Sequence, residues 1–190
     1  MSTESVRPRW QTDLPMFFTY LRIAMAPVVM GVLYIPWVWA GWTAAILFII
    51  GSFTDWLDGY FARRFNVEST AGKFMDPIAD KLLVLGAIVM LLAMNRVDAF
   101  MVFLLLARDT FIGGVRSVAA ANQIIIAAKP FGKWKTAMQM LGVPCLLIYD
   151  PLFGVVPLAR IGYGLLWVSV VLSLISGVEY TVGYYRQTKK

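Results

Sequence analysis

The sequence predicts an all-α integral membrane protein, with six transmembrane helices around a polar cavity that faces the cytoplasm, in one domain spanning residues 1–190. Three observations predict it. The hydrophobic fraction is 59% and the charged fraction 15%, against about 45–50% and about 25% in an ordinary soluble domain. One soluble core of this size cannot bury that excess. The apolar residues also fall into six runs, most of them near the ~20 residues that cross a bilayer's hydrocarbon layer. Finally, the basic residues gather in alternate connections between those runs, as the positive-inside rule requires.

The first run extends from Met16 to Val38 and contains Pro27. The second spans Trp42 to Ala62, the third Phe74 to Met94 and the fourth Phe100 to Ala120. The fifth, Trp134 to Tyr149, is short and contains Pro144; the sixth, Leu158 to Tyr185, is long enough to continue past a membrane. Each internal proline removes a helical hydrogen bond and predicts a kink. Residues 1–13 are polar and no small-residue cleavage site follows the long first run, so the N-terminus does not read as a cleaved signal peptide.

The connections assign the sides. Arg7 and Arg9 precede the first run. Arg63, Arg64 and Lys73 lie between the second and third, and Arg116, Lys129, Lys133 and Lys135 around the fourth and fifth. Arg186, Lys189 and Lys190 close the sequence. The opposite connections hold only Arg96 and, nearby, Arg160. Both termini are therefore expected in the cytoplasm. Trp37, Trp39 and Trp42 cluster where an aromatic belt would lie on the other side. The net charge of +6 sits between apolar runs, which suits anionic membrane lipids and not nucleic acid. Cys145 is the single cysteine, so no internal disulfide or Cys/His metal cluster is possible, and it reads as a small buried hydrophobe.

Four carboxylates do not belong in apolar helices. Asp55 and Asp58 lie near the end of the second run (AAILFIIGSFTDWLDGYFARR), and Asp76 and Asp80 near the start of the third (GKFMDPIADKLLVLGAIVM). Each such group costs roughly 2.5–3.5 kcal/mol on insertion scales, so a polar cavity or a bound cation is expected. Spacings of three and four put each pair on one helix face. A short connection makes the two helices antiparallel neighbours with all four groups at similar depth. An oxygen-only site without histidine or cysteine suits magnesium or manganese, and four carboxylates could hold two ions, as in-line phosphoryl displacement uses. The competing explanation is a structural charge network with Arg63, Lys73 and Lys81. A divalent-cation transporter is a further alternative, but transport sites usually lie near the midplane between repeated halves, and no repeat is apparent. Small residues flank the carboxylates: Gly59, Ala62 and Gly72. On facing helices they allow close approach of backbone or a flat ligand.

Together these positions read Asp55-x2-Asp58-Gly59-x2-Ala62-Arg63-x8-Gly72-x3-Asp76-x3-Asp80. This resembles the complete signature of the CDP-alcohol phosphatidyltransferase family. The resemblance implies six membrane helices, a homodimer, and a multi-pass protein of a bacterial inner membrane with its active site on the cytoplasmic side. It also implies that Asp55, Asp58 and Asp76 bind two magnesium or manganese ions, and that Asp80 shares the site and acts as general base. Asp55 and Asp58, with Gly59, Ala62 and Gly72, would line the pocket of the CDP-lipid, and Arg63 would sit beside its nucleotide or diphosphate.

The segments LPMFFTYLRIAMAP, ARDTFIGGVRS (residues 107–117) and GKWKTAMQM (residues 132–140) resemble the phosphatidylglycerophosphate synthase branch. That branch joins CDP-diacylglycerol to sn-glycerol 3-phosphate, a small phosphorylated alcohol. Two positions depart from it: Met16 stands where asparagine is common, and Asp109 where glutamate is. A phosphate dianion needs several cations. Arg108, Arg116 and Lys135, with Lys133, are the expected set. Arg22 also lies in an apolar run, where it could line the cavity or pair with an acid. Relatives with another acceptor (phosphatidylglycerol, serine or an inositol phosphate) are the alternative within the family.

Overall fold

A computed structural model describes residues 9–65, 70–122, 130–150 and 155–188, and among them the side chains other than those of residues 9–15, 55–77, 80, 130 and 188. The described chain is all-helical: α1 (Arg9–Tyr34), α2 (Ala40–Phe65), α3 (Thr70–Ala93), α4 (Ala99–Ala121), α5 (Pro130–Ile148) and α6 (Leu158–Thr188). Each apolar run corresponds to one helix.

The ends differ from the runs where local chemistry decides. The helix α1 stops at Tyr34, short of the expected Val38, because Pro36 disfavours helical backbone at Ile35. A tight turn follows, with Trp37 N–H donating to the Ile35 carbonyl (2.7 Å) and Ala40 N–H to that of Trp37 (3.0 Å). Trp37 and Trp39 are exposed beside it. The helix α5 begins at Pro130, ahead of the expected Trp134; proline suits the first helical position, where its missing N–H is not needed. The helix is assigned through Pro144 without a break. Asp98 caps α4, its carboxylate accepting the Met101 N–H at 2.7 Å and the Tyr163 hydroxyl at 2.9 Å.

Among the described residues, two helical stretches are long and apolar enough to cross a membrane: Met16–Tyr34 and Leu158–Gln187. Ala40–Thr54 and Lys81–Ala93 are shorter apolar stretches. The helices α4 and α5 carry Arg108, Asp109, Arg116, Lys133 and Lys135 within their apolar sequence.

The chain divides into two compact units, residues 1–90 and 91–190. In the first, α1 packs on α2 through buried Met25, Val29, Ala44, Ala45 and Phe48. Glycines bring in α3. A Cβ on Gly51 would lie 2.7 Å from Leu83 Cδ2 and 3.6 Å from Met25, and one on Gly86 would lie 3.1 Å from Met30 Sδ. Met25 and Leu83 both meet Gly51, while Met30 meets Gly86 further along both chains, so α1 and α3 run the same way.

In the second unit α6 packs on both α4 and α5. Gly142 opposes Gly162 closely enough that a Cβ on either would lie 3.1 or 2.8 Å from the other's carbonyl oxygen. Ser169 Oγ donates to the Lys135 carbonyl at 3.1 Å. These pairs run in opposite senses, so α5 and α6 are antiparallel. Arg108 meets Ser173, Arg116 meets Tyr180 and Asn122 meets Tyr184, which makes α4 and α6 parallel. Arg96 closes the C-terminal end of α5. Its Nη1 donates to the carbonyls of Leu146 (2.8 Å) and Leu147 (2.6 Å), and its guanidinium lies 4.6 Å over the Tyr149 ring.

Candidate active site

The contact of Gly51 with Leu83 sets the register of α2 on α3. Gly51 lies fourteen residues before the last residue of α2, and Leu83 thirteen after the first residue of α3. The two helices meet at equal distances from a four-residue connection, which only an antiparallel hairpin allows. Asp55 and Asp58 are four and seven residues beyond Gly51, and Asp80 and Asp76 three and seven before Leu83. At 1.5 Å per residue these are heights of about 6 and 10.5 Å on α2, and about 4.5 and 10.5 Å on α3. Offsets of three, four and seven return to the same helix face. Helical geometry thus sets the backbone of Asp55 level with that of Asp80, and that of Asp58 level with Asp76.

The side chains of Asp55, Asp58, Gly59, Ala62, Arg63, Gly72, Asp76 and Asp80 lie outside the described residues. Among the described residues no group of three or more metal-ligating side chains occurs. What the described residues add comes from α1. Arg22 and Thr19 lie three and six residues before Met25, hence at the same two levels, and both are fully buried. Thr54, next to Asp55 in sequence, is also buried, its hydroxyl donating to the Gly51 carbonyl at 2.7 Å. A buried arginine is retained only with anionic or hydrogen-bonding company, and Arg22 is engaged.

The second unit assembles two of the expected phosphate-binding cations. Arg108 Nη1 donates to Asp109 Oδ1 at 2.8 Å, and Lys135 Nζ pairs with the same oxygen. Arg108 Nε donates to the Ser173 carbonyl at 2.8 Å, and its Nη2 to Ser176 Oγ at 3.1 Å. Arg116 lies two turns further along α4, exposed, its guanidinium 5.5 Å over the Tyr180 ring. Lys133 is exposed on α5.

Four residues escaped the sequence reading or were undervalued by it. Asp109 appeared only as a departure from a resemblance, since a carboxylate beside an arginine on one helix reads as a local pair. Ser173 and Ser176 carried no signal at all in an apolar helix. Arg22 had the one available signal, a cation within an apolar run.

The aspartate signature in the sequences of α2 and α3 points to a class. The model of the CDP-alcohol phosphatidyltransferase family matches residues 12–175, and the chain belongs to that family. Among individual proteins, it is 38% identical over 182 residues to the CDP-diacylglycerol–glycerol-3-phosphate 3-phosphatidyltransferase of Bacillus subtilis, an overlap covering 88% of this chain and 93% of the relative. The enzyme of the same name from Rickettsia bellii is 36% identical over 168 residues, with 88% and 93% covered. That from Salmonella choleraesuis is 34% identical over 176 residues, with 90% and 93% covered.

Proposed function

We propose that this chain transfers the phosphatidyl group of CDP-diacylglycerol to sn-glycerol 3-phosphate, giving phosphatidylglycerophosphate and CMP. The observation that carries this reading is the complete aspartate signature on one antiparallel hairpin, in a chain whose relatives of that activity align over 88% and 90% of its length.

The donor set fits a hard divalent cation. The sequence has no histidine, its one cysteine lies on α5, and the signature offers carboxylate oxygens at two matched heights. Asp55, Asp58, Asp76 and Asp80 would hold magnesium or manganese, two ions in all. Such ions, when bound, neutralise the diphosphate and polarise oxygen at the reacting phosphorus.

The protein's own groups do the rest. Asp80 accepts the proton of the acceptor hydroxyl. That oxygen bonds to the phosphorus bearing the diacylglycerol, the bond from this phosphorus to the CMP oxygen breaks, and CMP departs with the electron pair. Gly59, Ala62 and Gly72 leave room for the cytidine, and Arg63 attends the diphosphate. Arg108, Arg116 and Lys135, with Lys133, hold the acceptor's phosphate. The work is positioning and charge neutralisation. We further propose six membrane spans, a bacterial inner membrane location with both termini cytoplasmic, and a homodimer. The basic connections and the family's membrane habit support the first two, and the family resemblance the third.

The test is CMP release by purified protein with CDP-diacylglycerol and magnesium, offering glycerol 3-phosphate, serine, inositol phosphate and phosphatidylglycerol in turn. Release with glycerol 3-phosphate alone is expected. Release with a different acceptor alone would keep the family and overturn the acceptor.

A further inference from the structure

We infer that Asp109 is a positioning residue for the acceptor's phosphate, holding Arg108 of α4 and Lys135 of α5 together in one geometry before substrate arrives. The inference rests on the proposed reading of those two cations as phosphate-binding groups.

One carboxylate oxygen serves both cations. Asp109 Oδ1 accepts from Arg108 Nη1 at 2.8 Å and from Lys135 Nζ. Lys135 would otherwise be a costly neighbour. Its side chain is 8% exposed and that of Arg108 13%, and two buried like charges repel strongly at low dielectric. The carboxylate offsets this repulsion. It also immobilises two long side chains whose rotamer freedom would otherwise be lost on binding.

The arrangement is not that of a self-sufficient ion pair. The helices α4 and α5 carry four cations, Arg108, Arg116, Lys133 and Lys135, to the one carboxylate of Asp109, and Lys133 and Arg116 are exposed. Arg108 commits three of its five N–H bonds to Ser173, Asp109 and Ser176, which leaves two for a second acceptor. Asp109 itself is the most exposed of the three side chains, at 28%, so the cluster is not sealed off. A pre-bound carboxylate beside an excess of cationic donors is the electrostatic complement of a phosphate dianion. A buried salt bridge is, by contrast, a weak source of stability, which makes a purely structural purpose the poorer account.

The experiment compares wild type, Asp109→Asn and Asp109→Glu for CMP release, varying glycerol 3-phosphate and CDP-diacylglycerol separately. Asparagine keeps the volume and an acceptor oxygen but removes the charge. We expect the KM for glycerol 3-phosphate to rise about tenfold, kcat and the KM for CDP-diacylglycerol to stay within about twofold, and glutamate to recover most of the loss. An unchanged glycerol 3-phosphate KM in folded Asp109→Asn would overturn the positioning role and leave the proposed activity standing. A wild type that uses only unphosphorylated acceptors would overturn both.

If Asp109→Asn does not fold, Lys135→Gln and the charge-balanced Asp109→Asn/Lys135→Gln double variant decide the matter. If Asp109 acts through Lys135, its loss in the Lys135→Gln background changes the acceptor KM by about twofold or less. A further tenfold rise there would show independent action and overturn the inference.

Discussion

Leu83 Cδ2 stands 2.7 Å from where a Cβ on Gly51 would be, and this contact sets the register of α2 on α3. Among the described residues, the atom in the way of an alanine at Gly51 is the end of a flexible side chain, so Gly51→Ala should be tolerated. A larger side chain must separate the helices. Overpacking of this kind costs about 1–3 kcal/mol. Gly51→Leu should therefore lower the detergent melting temperature and CMP release together. Leucine at Gly31, which has nothing within 4 Å of its Cβ position, is the control. Wild-type activity and melting in Gly51→Leu would show that this register is not what the site depends on.

The contact between Gly142 and Gly162 is less forgiving. A Cβ on Gly162 would lie 2.8 Å from the Gly142 carbonyl oxygen, 2.8 Å from Leu146 Cγ and 2.9 Å from Cys145 Cβ. None of these is the loose end of a side chain, so even Gly162→Ala should destabilise by about 1–3 kcal/mol. Gly164→Ala, two residues on with nothing within 4 Å, should be neutral or slightly stabilising through helix propensity. Thermal unfolding of the two variants side by side is the measurement, and equal melting temperatures would contradict the close α5–α6 packing.

Asp98 gives α4 an acid-labile start. The Met101 N–H, with the Tyr163 hydroxyl assisting, holds its carboxyl below the ordinary carboxylate value. Because the folded state has the lower pKa, this stabilisation is complete above the unfolded value of about 3.9. It is lost as pH falls through the folded one. Asp98→Asn keeps a capping oxygen and should remove that part of the acid dependence. Asp98→Ala should cost about 1 kcal/mol at neutral pH. Melting temperatures of the three proteins between pH 3 and 7 test this; an identical acid slope in wild type and Asp98→Asn would refute it.

Asp80→Asn should lower kcat by about 10²–10⁴, the usual contribution of a general base, while CDP-diacylglycerol still binds. Chelation with EDTA should stop turnover in wild type, and magnesium or manganese should restore it. Undiminished turnover in the variant would remove Asp80 from that role, and turnover that survives thorough chelation would remove the metals.

Much of this protein is legible without coordinates, because the length and apolarity of each helix are properties of one continuous stretch of sequence. Six apolar runs became six helices, with Pro36 setting the end of α1 and Pro130 the start of α5. The aspartate pairs were legible for a related reason: a carboxylate in an apolar helix stands out against its neighbours, and spacings of three and four speak for themselves. Tertiary structure alone decided what depends on two helices meeting. Gly51 met Leu83 across the α2–α3 hairpin, Arg22 of α1 was buried in the same unit, and Asp109 joined Arg108 to Lys135. A single chain carries the period of each helix, but the register between helices arises from packing atoms far apart in sequence, and no local pattern encodes that distance.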